Sequence, residues 1–275
     1  MNLEKFSLEN KSAIVTGAGG LLGVQHSVAL AEAGAKVYCS DLTIELAQSA
    51  VNKVKEICPN AEVLPVQLDV TDKKSIEATL DEVLKTSNKL DILVNNAAID
   101  PKVKKDTDKN LSRFENFPID DWNLQINVGL TGALLCSQVF GTHMSTSGGG
   151  VILNIASDLS VIAPDQRIYR KDGIAEEDQP VKPVTYSVIK AGLVGLTKYL
   201  STYWSTENVR VNAISPGGVF NDHPDSFTSK LTPLIPMGRM ANVDEYRGCI
   251  QFLCSEASSY MTGQNIIMDG GRSVW

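Results

Sequence analysis

Tyr186 and Lys190 stand four positions apart in the run Tyr186-Ser187-Val188-Ile189-Lys190. A helix puts residues at that spacing on one face, one turn apart, so the ammonium lies beside the phenol. A phenol titrates at about pH 10 in water, too high to trade protons with an alcohol at neutral pH. An adjacent cation favours the phenolate and makes Tyr186 a usable general acid/base. The same spacing also describes an ordinary surface pair. Ser157 raises it above that, because it follows the apolar run Val151 to Ile155, whose end would bring a hydroxyl beside the phenol to hold a carbonyl oxygen.

Thr16-Gly17-Ala18-Gly19-Gly20-Leu21-Leu22-Gly23 lies where a first strand, Ser12 to Thr16, hands over to a helix, Leu21 to Ala33. Free backbone N–H groups at the positive end of the helix dipole can seat a pyrophosphate there, and glycine lets the backbone approach it. Any strand-to-helix turn can use glycines, so the cluster alone does not decide. Asp41 ends the second strand about 20 residues on, where an acid reading ribose hydroxyls belongs. Its other reading is a cap for the helix starting near Thr43. An acid there repels a 2′-phosphate, and no Lys or Arg in the turn or just after Asp41 offsets it, which favours NAD(H) over NADP(H). A positively charged nicotinamide would also favour the phenolate of Tyr186.

The elements that must position these groups alternate along the chain. Strands are expected at Ser12 to Thr16, Lys36 to Ser40, Glu62 to Val66, Asp91 to Val94, Val151 to Ile155, Val209 to Ile214 and Gln264 to Met268. Helices are expected between them, at Leu21 to Ala33, Ile44 to Ile57, Lys73 to Leu84, Asp120 to Met144, Val184 to Ser205 and Val243 to Cys254. This rhythm predicts an α/β fold: one doubly wound Rossmann-type domain over residues 1–275, with a parallel sheet of about seven strands and helices on both faces. Leu68-Asp69-Val70 and Asn95-Asn96-Ala97-Ala98 follow the third and fourth strands, at the sheet edge where a dinucleotide would lie. Asp69 has a second reading as a helix cap before Lys73.

The chain has 275 residues, 43% hydrophobic and 21% charged, close to globular averages, with a net charge of -7. That balance makes nucleic acid and anionic lipid unexpected partners. No uninterrupted apolar run reaches the roughly 18 residues of a membrane span. Five cysteines without CxxC spacing, and an N-terminus without a targeting pattern, give the expectation of a reduced, cytoplasmic protein. His26, His143 and His223 lack ligand spacing to one another or to the cysteines, so no metal is expected.

Together these residues resemble the short-chain dehydrogenase/reductase family, in its compact single-domain branch, from Ser12 to Gly271. The ordered matches are the glycine turn, Asn95-Asn96-Ala97, Asn127, Ser157, Tyr186 with Lys190, Pro216-Gly217, Tyr260 to Gln264 and Asp269-Gly270-Gly271. The resemblance implies that Tyr186 donates and accepts the proton, that Lys190 tunes it and bonds the nicotinamide ribose, that Ser157 orients the carbonyl and that Asn127 holds a water in the proton relay. It implies a cofactor lying along Gly17, Gly20, Leu21, Leu22, Asp41, Leu42, Asp69, Val70, Asn96, Ala97, Tyr186, Lys190, Pro216, Gly217 and Val219. A homotetramer or homodimer built partly from the helices around Asp120 to Met144 and Val184 to Ser205 is also implied.

The chain departs from the family pattern in places. Leu21 stands where the branch has glycine, Ala98 replaces the glycine of NNAG, and Asn221 stands where a Thr often contacts the carboxamide. From Ser157 to Tyr186 is 29 positions where the family uses about a dozen, so roughly 16 extra residues hang over the expected site. Arg167, Tyr169, Arg170 and Lys171 in the insert, residues 158–183, are either cationic groups over a phosphate or carboxylate substrate, or a solvated charged loop. Lys102, Lys104, Lys105 and Arg113 carry the same ambiguity. The insert together with the segments around Tyr186 and Pro216 is similar to dehydrogenases of surface-sugar biosynthesis, of the legionaminic-acid or flagellin-modification type, which implies an amino-sugar or sugar-phosphate substrate.

The expected activity is NAD(H)-dependent hydride transfer between nicotinamide and a secondary alcohol or ketone, on a polar, sugar-like substrate. One alternative is a reductase for 3-oxoacyl or other lipophilic carbonyls, against which the charge of residues 158–183 argues. Another is a catalytically idle NAD-binding sensor or scaffold, which would have no need of Ser157, Tyr186 and Lys190 together.

Overall fold

The computed structural model describes residues 3–99 and 111–275. Lys102, Lys104 and Lys105 lie outside the described residues. The strands β1 (Ser12–Thr16), β2 (Lys36–Asp41), β3 (Val63–Gln67), β4 (Ile92–Asn95), β5 (Gly150–Ile155), β6 (Val209–Pro216) and β7 (Asn265–Met268) form one sheet ordered β3-β2-β1-β4-β5-β6-β7. Every pairing is parallel. All five residues of β1 are buried, as a strand covered on both faces requires. Ala13 and Val15 pack to one side and Ile14 to the other, and in β2 Val37 and Cys39 oppose Tyr38 in the same way.

The helices Leu21–Glu32, Ile44–Ile57 and Arg247–Cys254 cover the first face. Lys73–Thr86, the long helix Ile119–Thr146 and Val184–Tyr203 cover the second. The first helix ends as its sequence suggests: Gly34 takes φ +97°, and the N–H of Ala35 reaches back to the carbonyl of Leu30.

Three features lie beyond the sequence reading. The last helix begins at Arg247, not near Val243, because Glu245 is held by Arg239 at 2.6 and 2.7 Å and by the Asn242 N–H at 2.7 Å, which keeps that stretch in turns. A short helix, Asp225–Leu231, occupies a span without a helix signal. The long helix contains two π turns, Asn127–Thr131 and Ser137–Gly141.

By length and composition Ile119–Thr146 is also apolar enough to cross a membrane, although Asn127, Thr131 and Ser137 interrupt its apolar runs. Its Cys136, Phe140 and Met144 instead pack beneath the sheet.

A buried polar chain crosses the second face. Asn95 Nδ2 donates to Ser137 Oγ at 3.2 Å and to Asn154 Oδ1 at 2.9 Å, and Asn154 Nδ2 donates to Thr197 Oγ1 at 2.8 Å. It pins the Val184–Tyr203 helix, which carries Tyr186 and Lys190, to β5 and β4. Strand order reverses between β1 and β4, and the crevice at such a switch point opens at the carboxyl ends of the strands.

Candidate active site

A cleft of about 650 Å³ runs along that sheet edge, and Gly17, Gly20, Leu21, Leu22, Asp41, Asn96, Ser157, Tyr186, Lys190, Pro216, Gly217 and Val219 all line it.

At one end is the glycine turn. Gly17 has φ +61°, and a Cβ there would lie 2.9 Å from Ala97 Cα; at Gly23 a Cβ would lie 2.4 Å from the Gly17 carbonyl oxygen. Leu21, where the resemblance asks for glycine, opens the helix with its side chain exposed, so this position has no such demand. Asn96 locks the turn from β4, donating from Nδ2 to the carbonyls of Thr16 and Gly17, both at 2.9 Å. The Ala97 N–H bonds Thr16 Oγ1 at 3.0 Å.

Asp41 does not cap the next helix; Thr43 does. The Asp41 carboxylate instead accepts the Gly19 N–H at 2.9 Å and the Leu42 N–H at 2.8 Å. Asp69 is likewise not the cap of the third helix, which is Asp72. Asp69 Oδ1 accepts the N–H and hydroxyl of Thr71, at 2.9 and 2.7 Å. Asp69, Val70, Leu42 and Ala97 do not line the cleft: Ala97 lies against Gly17, Val70 is buried against Gly132 and Leu42 is exposed.

At the other end Tyr186 is half-buried and Lys190 buried, which is not the setting of a surface pair. Lys190 Nζ lies 5.8 Å from the centre of the Tyr186 ring and donates to the Ile155 carbonyl at 2.7 Å. A second ammonium, Lys182, sits 3.9 Å from the same ring centre and lines the cleft. Ser157 is buried, donates to Asp158 Oδ1 at 2.8 Å and accepts the Leu159 N–H at 3.2 Å. Asn127 opens the first π turn, where its carbonyl accepts the Gly132 N–H; its side chain is exposed and outside the cleft lining.

The insert walls this end. Ile168 is buried with Leu231, Ile235 and Met240, and Tyr169 packs on Phe227 at 5.7 Å between ring centres. Gln179 clasps the insert on itself through Lys171 and Ile174. Of its cations only Lys182 faces in: Arg167 pairs with Asp165 at 2.7 Å, Arg170 pairs with Glu176, and neither they nor Lys171 line the cleft. Arg113 bonds Glu115 and the Glu176 carbonyl. The Asp165 carboxyl is held down to about 2, first by its hydrogen bond to Arg167.

Sequence reasoning missed Lys182, Asp158 and Arg272. Only the unusual length of the insert pointed toward the first. His223, taken from sequence as isolated, lines the cleft, accepts the Asn221 N–H at 3.2 Å and stacks on Phe227. Burial pushes the thiols of Cys136 and Cys254 up to about 12, so they are inert. Among the described residues no group of three His, Cys, Asp or Glu is placed to hold a metal ion.

Residues 11–169 match the family described as short chain dehydrogenase, and residues 174–273 match one described as Enoyl-(Acyl carrier protein) reductase. An NAD-dependent glycerol dehydrogenase of Listeria innocua is 32% identical, covering 98% of this chain and 96% of that protein. A D-threitol dehydrogenase of Mycolicibacterium smegmatis is 31% identical, covering 98% and 95%. The crystal structure of a gluconate 5-dehydrogenase from Burkholderia cenocepacia, in complex with NADP and tartrate, superposes with a TM-score of 0.83 at 27% identity, with 100% of both chains covered. With the glycine turn, Asn96, Ser157, Tyr186, Lys190 and Pro216-Gly217 gathered on one sheet edge and the family's sequence pattern running nearly end to end, the chain belongs to the short-chain dehydrogenases, nicotinamide-dependent oxidoreductases acting on CH–OH groups.

Proposed function

We propose that this enzyme transfers a hydride between NAD(H) and a secondary alcohol or ketone on a polar, polyol-like substrate. The observation that carries the reading is the convergence of Ser157, Tyr186 and Lys190 on a cleft whose far end is the glycine turn and Asp41. The turn fits a dinucleotide: Gly17 and Gly23 leave a cradle that side chains would fill, and Asp41 stands ready for ribose hydroxyls. The bound nicotinamide supplies the hydride chemistry. Tyr186 takes the proton of the alcohol or returns it to the carbonyl, and Lys182 and Lys190 attract the phenolate formed in that exchange. Lys190 would also hold the cofactor's ribose, and Ser157 would hold the reacting oxygen. A relay role for Asn127 rests on the family resemblance alone, its side chain being exposed and outside the cleft lining. Ala97, against Gly17, and Leu42, whose N–H holds the Asp41 carboxylate, shape the cofactor end from behind, and roles for Asp69 and Val70 rest on the family resemblance.

NAD rather than NADP rests on Asp41, whose charge opposes a 2′-phosphate. The related glycerol dehydrogenase is named NAD-dependent and the gluconate 5-dehydrogenase holds NADP, so the choice is made by this chain's own residues. A polyol or sugar acid is favoured by the named relatives and by Asp158, Lys182, Asn221, His223 and Arg272 at the substrate end. Those relatives lend no support to the surface-sugar subgroup.

We read the chain as one domain whose insert, 158–183, covers the substrate, because Ile168, Tyr169 and Lys182 wall the cleft. Exposed Leu124, Leu134, Val188, Tyr199 and Tyr203 on two helices suit a homodimer or homotetramer. Reduced thiols suit the cytoplasm.

A lipophilic carbonyl is the second reading. It is favoured because the insert turns Arg167 and Arg170 outward and presents Ile168 beside Phe227, Leu231 and Met240.

A panel of glycerol, D-threitol, gluconate and acetoacetyl-coenzyme A, each with NAD(H) and NADP(H) and read by nicotinamide absorbance, separates the two. Turnover of polyols or gluconate with NAD supports the first reading; turnover of the thioester alone supports the second.

A further inference from the structure

Ser157 does not stand alone on β5's edge. Its hydroxyl donates to Asp158 Oδ1 at 2.8 Å, and the other oxygen of that carboxylate, Oδ2, accepts from Arg272 Nη1 at 2.8 Å. Arg272 comes from the far end of the chain, 114 positions away; Asp158 is buried, only 9% of the Arg272 side chain is exposed, and both line the cleft. The turn that delivers it is purpose-shaped. Asp69 plays no part here; Asp269, after β7, accepts the N–H of Gly271 at 2.9 Å and of Ser273 at 2.8 Å, while Gly270 and Gly271 take φ of +67° and +90°.

We propose that Asp158 and Arg272 are positioning residues that aim the hydroxyl of Ser157. Arg272 fixes the Asp158 carboxylate, and that carboxylate together with the Leu159 N–H fixes the serine rotamer. The neutralising guanidinium also makes Asp158 a weaker acceptor than a lone carboxylate. The serine hydroxyl therefore turns its proton from Asp158 to the substrate oxygen when that oxygen arrives, and no covalent bond changes in the process. Loss of the guanidinium frees Oδ2 and leaves a buried anion held only at Oδ1, by the Leu159 N–H at 2.8 Å and the serine hydroxyl; this looser, un-neutralised carboxylate keeps the serine proton, so the cost falls on the chemical step more than on binding.

The proposal rests on the assignment of Ser157 as the group that holds the reacting oxygen. The test is a double-mutant cycle on the polyol or gluconate that turns over fastest with NAD, using Arg272→Gln, Arg272→Lys, Ser157→Ala and the double variant. Arg272→Gln is expected to lower kcat about tenfold or more with KM changed less than about threefold, and Arg272→Lys to restore most of it. In the Ser157→Ala background Arg272→Gln should add nothing. Multiplicative losses there overturn the proposal. An unimpaired Ser157→Ala single variant overturns the catalytic assignment itself.

A substrate-free arm covers folding and the geometry together: a crystal structure of Arg272→Gln should show Ser157 spread over rotamers. An Asp158 carboxylate and a Ser157 hydroxyl both placed as in the wild-type protein, in one conformer, contradict the proposal.

Discussion

The carboxylate of Asp41 accepts the backbone N–H of Gly19 at 2.9 Å, so the acid at the end of β2 helps to build the glycine turn as well as facing the cleft. Asp41→Ala is therefore expected to act twice. NADH affinity should fall about tenfold through the lost ribose contact and the loosened turn, and the handicap of NADPH should shrink because the repelling charge is gone. Fluorescence titration with both dinucleotides measures this. A wild-type protein that prefers NADPH, or a variant with unchanged preference, contradicts the role given to Asp41.

The turn separates necessary from incidental glycines. A Cβ at Gly23 would lie 2.4 Å from the Gly17 carbonyl oxygen, whereas Leu21 is exposed. Gly23→Ala should weaken NADH binding by at least about tenfold and lower the thermal midpoint, while Leu21→Ala should leave stability within about 0.5 kcal/mol. Equal, small effects of both would show that the turn is not sterically closed.

The fold was legible because a doubly wound sheet is encoded locally: short apolar runs, glycine and proline stops, and periodic helices needed no long-range information. Ser12–Thr16 and Ile44–Ile57 were found to the residue. Ser157, Tyr186 and Lys190 were legible for a related reason, since each lies at a strand end or on one helix face. Arg272 was not legible, because the tip of a long side chain depends on a turn that no periodicity reports, and Asp158 acquires its meaning only through that contact. The insert left two readings open because charge dominates its composition and says nothing about direction: Asp165 and Glu176 bind Arg167 and Arg170 outside the cleft, while Ile168 and Lys182 face in.

Ile168 anchors the insert to Leu231, Ile235 and Met240. Ile168→Ala should cost about 2 kcal/mol or more locally, loosening the insert and raising KM several-fold with kcat nearly unchanged. Steady-state kinetics check this; an unchanged KM would show that the insert does not shape the substrate end.

His26 in the first helix is fully buried, and neither ring nitrogen has a hydrogen-bond partner among the described residues. Burial, reinforced by Lys190, lowers its pKa from 6.5 to about 3. The folded state thus binds this proton less readily than the unfolded chain. Its effect on stability is absent above pH 6.5 and grows as pH falls from there toward about 3, by up to about 1.4 kcal/mol per pH unit. His26→Leu should flatten that slope and raise the midpoint of unfolding, since it removes unpaired polar atoms from the core. Denaturant titrations of both proteins between neutral pH and mildly acidic pH test it; parallel slopes would contradict the burial of a neutral imidazole.

The central claim is that the phenolic hydroxyl of Tyr186 carries the proton. Single-turnover nicotinamide absorbance with Tyr186→Phe, alongside NADH titration, measures it most directly. The variant is expected to bind NADH within about threefold of wild type and to lose at least about a hundredfold in the chemical step. Turnover at the wild-type rate, with the cofactor bound, would contradict the account.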